Sequence, residues 1–184
     1  DSTTPVLLMG YANPVMHMGY ARFADAAAAV GLDALLTVDI PPEEVDSINR
    51  ELQRVGMDNI FLVAPTTPDE RIARIAARAS GFIYYVSLKG VTGAGHLDTV
   101  EVAARVNAIR QHSNLPVAVG FGIKDAASAR QVSQTAEGVV VGREVEVERH
   151  HPGGGHHVAP AARVECTFAL CCMGVRCRRP GAAG

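Results

Sequence analysis

The 184-residue chain is 48% hydrophobic, 20% charged and 5% aromatic, a composition that fits one globular domain. It excludes a collagen-like rod and a fully disordered polymer. Seventeen basic residues against nineteen acidic ones leave a net charge of −2, so nucleic acid is not an expected partner. The apolar runs fall short of the roughly 18 residues a membrane helix needs, and no membrane association is expected. No charged and then apolar leader opens the chain, which points to a cytoplasmic location.

In chain order, β-rich runs bounded by turn residues lie at 6–9, 34–38, 60–63, 82–87, 116–119 and 138–141. Patterns of helical period lie between them at 20–30, 42–55, 68–79, 97–111 and 125–133. The segments VLLM, ALLTV, IFLVA and VVVG are apolar at consecutive positions, as parallel strands covered on both faces must be. Thr67, Pro68 and Glu70 read as a capping box opening the helix at 68–79. Six βα-type repeats predict an α/β fold, either a doubly wound sheet or part of an eight-fold barrel. Polar or glycine-rich segments follow nearly every strand: Tyr11 to Pro14, Asp39 to Pro41, Gly90 to Gly95, Gly120 to Gly122, and Gly142. A doubly wound sheet concentrates its site at one switch point, whereas a barrel builds it from all the carboxyl-end loops, so the barrel is favoured. Six strands do not close such a barrel, and the first and last are expected to present open edges.

The composition changes sharply at Gly142. Up to that residue there are eleven basic and fifteen acidic side chains; beyond it there are six Arg, four Glu, all four cysteines and four of the seven histidines. Two regions follow, a partial barrel at 1–142 and a His/Cys/Arg-rich tail at 143–184, read as mostly irregular and as disordered or of altered frame. His150, His151, His156 and His157 with Cys166, Cys171, Cys172 and Cys177 are soft metal ligands in quantity. Their spacing fits a structural zinc site poorly, and no metal site is assigned.

Three glycine loops come late in the chain, at Gly93, Gly122 and Gly142. Glycine lets backbone N–H groups approach a phosphate, and barrels commonly bind phosphate on their last two strand loops. Tyr84 reads from the residues alone as a core aromatic of a strand. Asp39 reads equally well as a turn acid or a site carboxylate.

The runs LLMGYANPV, VDIPPEE, FLVAPTTPDERI, SGFIYYVSLKGVTGAG, PVAVGFGI and EGVVVG closely resemble the tryptophan synthase alpha chain family, over about residues 5 to 142. Other phosphate-binding barrels share the late glycine loops but not YANP, IPPEE and GVTGA in this order. The resemblance implies a (β/α)₈ TIM barrel, of which this chain holds about strands 3 to 8. It implies a lyase of tryptophan biosynthesis that cleaves indole-3-glycerol phosphate to indole and glyceraldehyde 3-phosphate by a retro-aldol step. The expected partner is a beta chain, to which the PLP belongs, so no cofactor is expected in this chain.

By the same resemblance, Tyr84 stands near the substrate in a supporting role. Thr92, Gly93, Gly120, Phe121, Gly122 and Gly142 bind phosphate, and Met9, Tyr11, Asn13, Leu36 and Val140 line the substrate pocket. The family's catalytic glutamate and aspartate belong to its first two strand units, ahead of the part matched here, and this chain is expected to be inactive by itself. After Gly142 the family's serine is replaced by Arg143 and the resemblance is expected to stop. The alternatives are a non-catalytic fragment that binds phosphate or a beta chain, and a metal-binding protein acting through its tail.

Overall fold

Each apolar run of the body becomes a strand in the computed structural model, which describes residues 4–87, 99–120, 126–142 and 168–172. The strands are β1 (Leu7–Gly10), β2 (Ala34–Thr37), β3 (Asp58–Val63), β4 (Ile83–Val86), β5 (Val117–Gly120) and β6 (Gly138–Gly142). All adjacent pairs among these six are parallel and follow chain order. The helices between them are α1 (Ala12–Met18), α2 (Tyr20–Ala29), α3 (Asp46–Arg54), α4 (Asp69–Ala76), α5 (Thr99–Arg110) and α6 (Ala126–Val132). A seventh strand, β7 (Phe168–Cys172), comes from the tail and pairs antiparallel with β6.

Alternation along the strands sorts the apolar side chains into two layers, as the two-residue period of a strand requires. Leu35, Phe61, Val63, Ile83, Tyr85, Val117, Val119 and Val139 pack with helix residues such as Phe23, Ile48, Leu52, Ile72, Ile75, Val106 and Ile109. Ala34, Leu36, Ile60, Phe82, Tyr84, Ala118 and Val140 form a separate cluster to which, among the described residues, no helix contributes. A doubly wound sheet reverses its strand order and carries helices on both faces. Sequential order with helices on one face is the arrangement of a barrel wall, so the barrel reading holds.

Three local expectations change. The segment Tyr11 to Pro14, read as a loop, holds the start of α1, with Tyr11 as its extended N-cap. Pro14 is tolerated there because the N–H groups of a first turn have no intrahelical partner. Gly19, at φ 85°, ends α1 and lets α2 start in a new direction. The capping box at Thr67 does not form: Pro68 is the N-cap without a side-chain cap bond, and the Thr67 hydroxyl instead accepts the Ala64 amide at 2.9 Å. Thr67 is drawn into the turn that leaves β3, which also bonds its own amide to the Ala64 carbonyl. Finally, β6 is not an open outer edge, because β7 pairs along it from Gly142 to Gly138.

Polar bonds fasten the layers at the amino ends of the strands. Asn59 is buried in β3 and donates its side-chain amide to Asn49 of α3, while Asn49 donates to the Arg78 carbonyl at 3.1 Å. The Asn59 backbone N–H donates to the Ser80 hydroxyl at 2.9 Å. Glu137, just before β6, accepts the Val117 amide of β5 at 2.9 Å and the Arg110 guanidinium from the end of α5. Arg110 also donates to the Thr135 carbonyl at 2.9 Å. The end of α5 and the amino ends of β5 and β6 are thus joined through one carboxylate.

Partial burial works to raise the Glu137 carboxyl, but the Val117 amide and the Arg110 guanidinium outweigh it and hold its pKa below the ordinary 4.5. A lowered carboxyl pKa stabilises the fold above the unfolded value, and that stability is lost as pH falls through the folded one. Glu137→Gln is expected to lower the unfolding free energy at pH 7 by about 1 kcal/mol or less, since the ion pair is partly exposed. The gap from the parent should close as the pH drops below about 4, which paired urea titrations across the acid range will measure.

Candidate functional site

The helix-free layer is where the candidate pocket lies. Met9 and Leu36 stand side by side in the β1–β2 register, and Ile60 follows Leu36 in β3. Further across the sheet, Leu62, Tyr84, Ala118 and Gly138 share one row, and Val86, Gly120 and Val140 share the next row toward the carboxyl ends. Leu7, Met9, Val38, Leu62 and Val86 are partly buried against this cluster. The result is an apolar wall whose one large polar tip, among the described residues, is the Tyr84 phenol.

Tyr84 is 3% exposed, and burial pushes its phenol up to about 12. The ring leans toward the end of β5, where Gly120 lies beneath it. A Cβ built on Gly120 would meet the Tyr84 hydroxyl at 2.2 Å and ring carbons at 2.5 and 2.7 Å. No side chain larger than hydrogen fits at Gly120 while the ring keeps its place. Ser87, immediately after β4 and also buried, donates both its amide and its hydroxyl to the Gly120 carbonyl, each at 3.0 Å. The junction of β4 and β5 is therefore held by backbone and hydroxyl bonds on one side of Gly120 and by the tyrosine ring on the other.

Of the residues expected from the sequence, Met9, Leu36, Tyr84 and Val140 are brought into one cluster. Gly120 supports it from below, and Gly142 closes β6 opposite Phe168. Tyr11 and Asn13 are not part of the cluster: both are exposed at the start of α1, and Tyr11 is 67% exposed. Thr92, Gly93, Phe121 and Gly122 lie outside the described residues. Asp39 is placed by its bonding, for its carboxylate accepts the Ala12 amide at 2.7 Å and satisfies an orphan donor at the start of α1. That contact ties the loop after β2 to the helix after β1.

Sequence reasoning missed Ser87, Phe82, Ile60 and Ala118. Ser87 carried no pattern, since its role depends on a carbonyl of another strand. The other three were discoverable only by knowing which alternate positions face away from the helices. Among the described residues no group of three or more His, Cys, Asp or Glu side chains is arranged to hold a metal. Most of the tail's histidines and cysteines lie outside those residues.

Sequential parallel strands, helices on one face and an apolar layer on the other define a segment of a TIM barrel, with the carboxyl ends of its strands as the ligand side. The family described as tryptophan synthase alpha chain matches residues 1–163, and the chain belongs to that family. It is 57% identical over 145 residues to the tryptophan synthase alpha chain of Thiobacillus denitrificans, covering 79% of this chain and 53% of the relative. To that of Thioalkalivibrio sulfidiphilus it is 59% identical over 174 residues, covering 92% of this chain and 65% of the relative. Among solved structures, the tryptophan synthase α2β2 complex of Pyrococcus furiosus aligns with TM-score 0.70 and 35% identity, over 76% of this chain and 57% of the matched one. The chain thus spans between about half and two thirds of the length of these curated relatives. The family match runs to residue 163, past Gly142, so the end of the resemblance does not coincide with the compositional break.

Gly120→Ala is expected to cost about 1 to 3 kcal/mol, because the new methyl forces the Tyr84 ring from its site. Tyr84→Leu in the same chain should recover part of that loss, so a double-mutant cycle in urea will show the pair to be non-additive. Tyr84→Phe should remove the absorbance step near pH 12 from an alkaline titration. Because the folded pKa is raised, the stability tied to the Tyr84 phenol is complete below 10 and is lost as pH climbs toward 12.

Proposed function

We propose that this chain supplies the phosphate-side part of a lyase that cleaves indole-3-glycerol phosphate to indole and glyceraldehyde 3-phosphate. The observation that carries this reading is the clustering of Met9, Leu36, Tyr84 and Val140 on the helix-free face, beside the close contact of Tyr84 with Gly120. An indole ring is flat and apolar and suits a wall of aliphatic side chains. The phenol of Tyr84, neutral at physiological pH, offers a hydrogen bond at the polar end of the substrate without adding charge.

The phosphate is proposed to sit at the carboxyl ends of the late strands. There the backbone N–H groups around Gly93, Gly122 and Gly142 supply donors, with Thr92, Gly120 and Phe121 shaping the loops. These are oriented dipoles rather than charges, which suits a ligand that must be released after cleavage. The retro-aldol step itself requires an acid to protonate the ring carbon being released and a base to accept protons from the ring nitrogen and the glycerol hydroxyl. Asp39 is engaged with the Ala12 amide and is not proposed for either role. Those carboxylates are assigned to the family's first two strand units, and the chain alone is proposed to bind without turnover.

A beta chain is the proposed partner, by likeness to the Pyrococcus furiosus α2β2 complex. The PLP is proposed to reside in it, with no cofactor in the present chain. Among the described residues no helix is long and apolar enough to cross a membrane. A cytoplasmic site of action fits this biosynthetic role.

The test is to incubate the purified chain with indole-3-glycerol phosphate and assay indole, then titrate the same ligand calorimetrically. No indole above background is expected, since each absent acid or base group typically costs about 10² to 10⁴-fold in rate. Measurable heat of binding is expected, and Gly122→Asp should abolish it by placing a carboxylate against the phosphate. Equal binding by the parent and by Gly122→Asp would refute the phosphate assignment, and indole release would refute the assignment of the catalytic carboxylates.

A further inference from the structure

In a closed parallel barrel every strand has a parallel neighbour on each side. Here β6 has a parallel neighbour in β5 on one side only. Along its other side runs β7, antiparallel, with Gly138, Val139, Val140, Val141 and Gly142 in register with Cys172, Cys171, Leu170, Ala169 and Phe168. The pairing covers all five residues of β6. A strand edge has one row of N–H and C=O groups, so two strands cannot use it together.

We infer that residues 168–172 form a removable cap, a strand donated by the chain's own tail that closes the β6 edge against any parallel strand coming from elsewhere. The segment FALCC suits this use. It is uncharged and free of Pro and Gly, whereas the sequence before it carries Pro152, Gly153, Gly154, Gly155 and Pro160. An antiparallel neighbour also needs no crossover helix, unlike a parallel one. The cap therefore demands little of the rest of the tail. Its consequence is a choice between two states: with β7 seated the edge is blocked and the sheet ends there, and with β7 released the edge can accept the parallel neighbour that barrel closure requires. The inference rests on strand pairing and does not depend on the proposed reaction.

The experiment is amide hydrogen exchange on the full chain, followed residue by residue, for the parent and for Leu170→Pro. Proline at this position lacks the N–H and fixes φ, which a paired strand does not tolerate. Ala161→Pro, in the tail but outside β7, is the control. Successive N–H groups of a strand point to opposite edges, so part of the β6 amides report on β7 and the rest on β5. Leu170→Pro is expected to speed exchange of the β7-facing amides by roughly tenfold or more. The β5-facing amides and those of β2 and β3 should stay as slow as in the parent, and Ala161→Pro should change neither set. Unchanged exchange of β6 in Leu170→Pro would overturn the inference, because β7 would not be seated there in solution. Fast exchange of both β6 sets would overturn it equally, because β7 would then be an integral part of the sheet and not a removable cap.

Discussion

A parallel sheet has to be covered on both faces, and everything else in this protein follows from how that requirement is met. On one face the cover is the layer of helices, where residues such as Ile48, Ile72, Val106 and Ile109 are fully buried against the strands. On the other face no helix contributes among the described residues, and the strands cover one another by curving, so that Leu36, Ile60, Tyr84 and Val140 meet. Each such side chain gains about 1.5 to 3 kcal/mol by leaving water. The same curvature that hides these groups leaves the carboxyl ends of the strands as the rim on which loops gather.

The two ends of the strands are specialised in different ways. At the amino ends the bonds are structural: Asn59 with Asn49 and Ser80, and Glu137 with Val117 and Arg110. At the carboxyl ends space is set by close approach, as where Gly120 admits the Tyr84 ring and Ser87 bonds the Gly120 carbonyl. A barrel can vary its rim because its stability is invested at the opposite end. Between the helices, arginine and acid pairs such as Arg54 with Asp25 and Arg74 with Glu43 cross from one unit to the next. They are exposed and worth little each.

The tail changes the character of the outer edge. A wall of six parallel strands would offer β6 as a template for uncontrolled pairing. In this chain the uncharged tail segment 168–172 occupies that edge with the opposite strand direction.

Much of the fold was legible in the sequence. All six body strands occur within two residues of their expected bounds, because consecutive apolar residues between turn signals leave few other readings. The family was legible as well, in YANP, IPPEE and GVTGA, whose order no periodicity argument supplies. What the sequence left open was decided by contacts distant along the chain. Strands apolar at every position conceal which alternate residues face the helices, so Ile60, Phe82 and Ala118 could not be separated from Phe61, Ile83 and Val119 until the sheet was assembled. Asp39 was resolved from turn acid or site carboxylate into an anchor for α1 only when Ala12, 27 residues away, was brought to it. Thr67 lost its expected cap to a turn bond, and β7 found β6 across residues 143–167. Local pattern determines which elements form, since each residue's period and turn chemistry act on near neighbours. The faces, the partners of polar groups and the occupancy of an edge depend on which distant segments meet, and only the tertiary structure determines that.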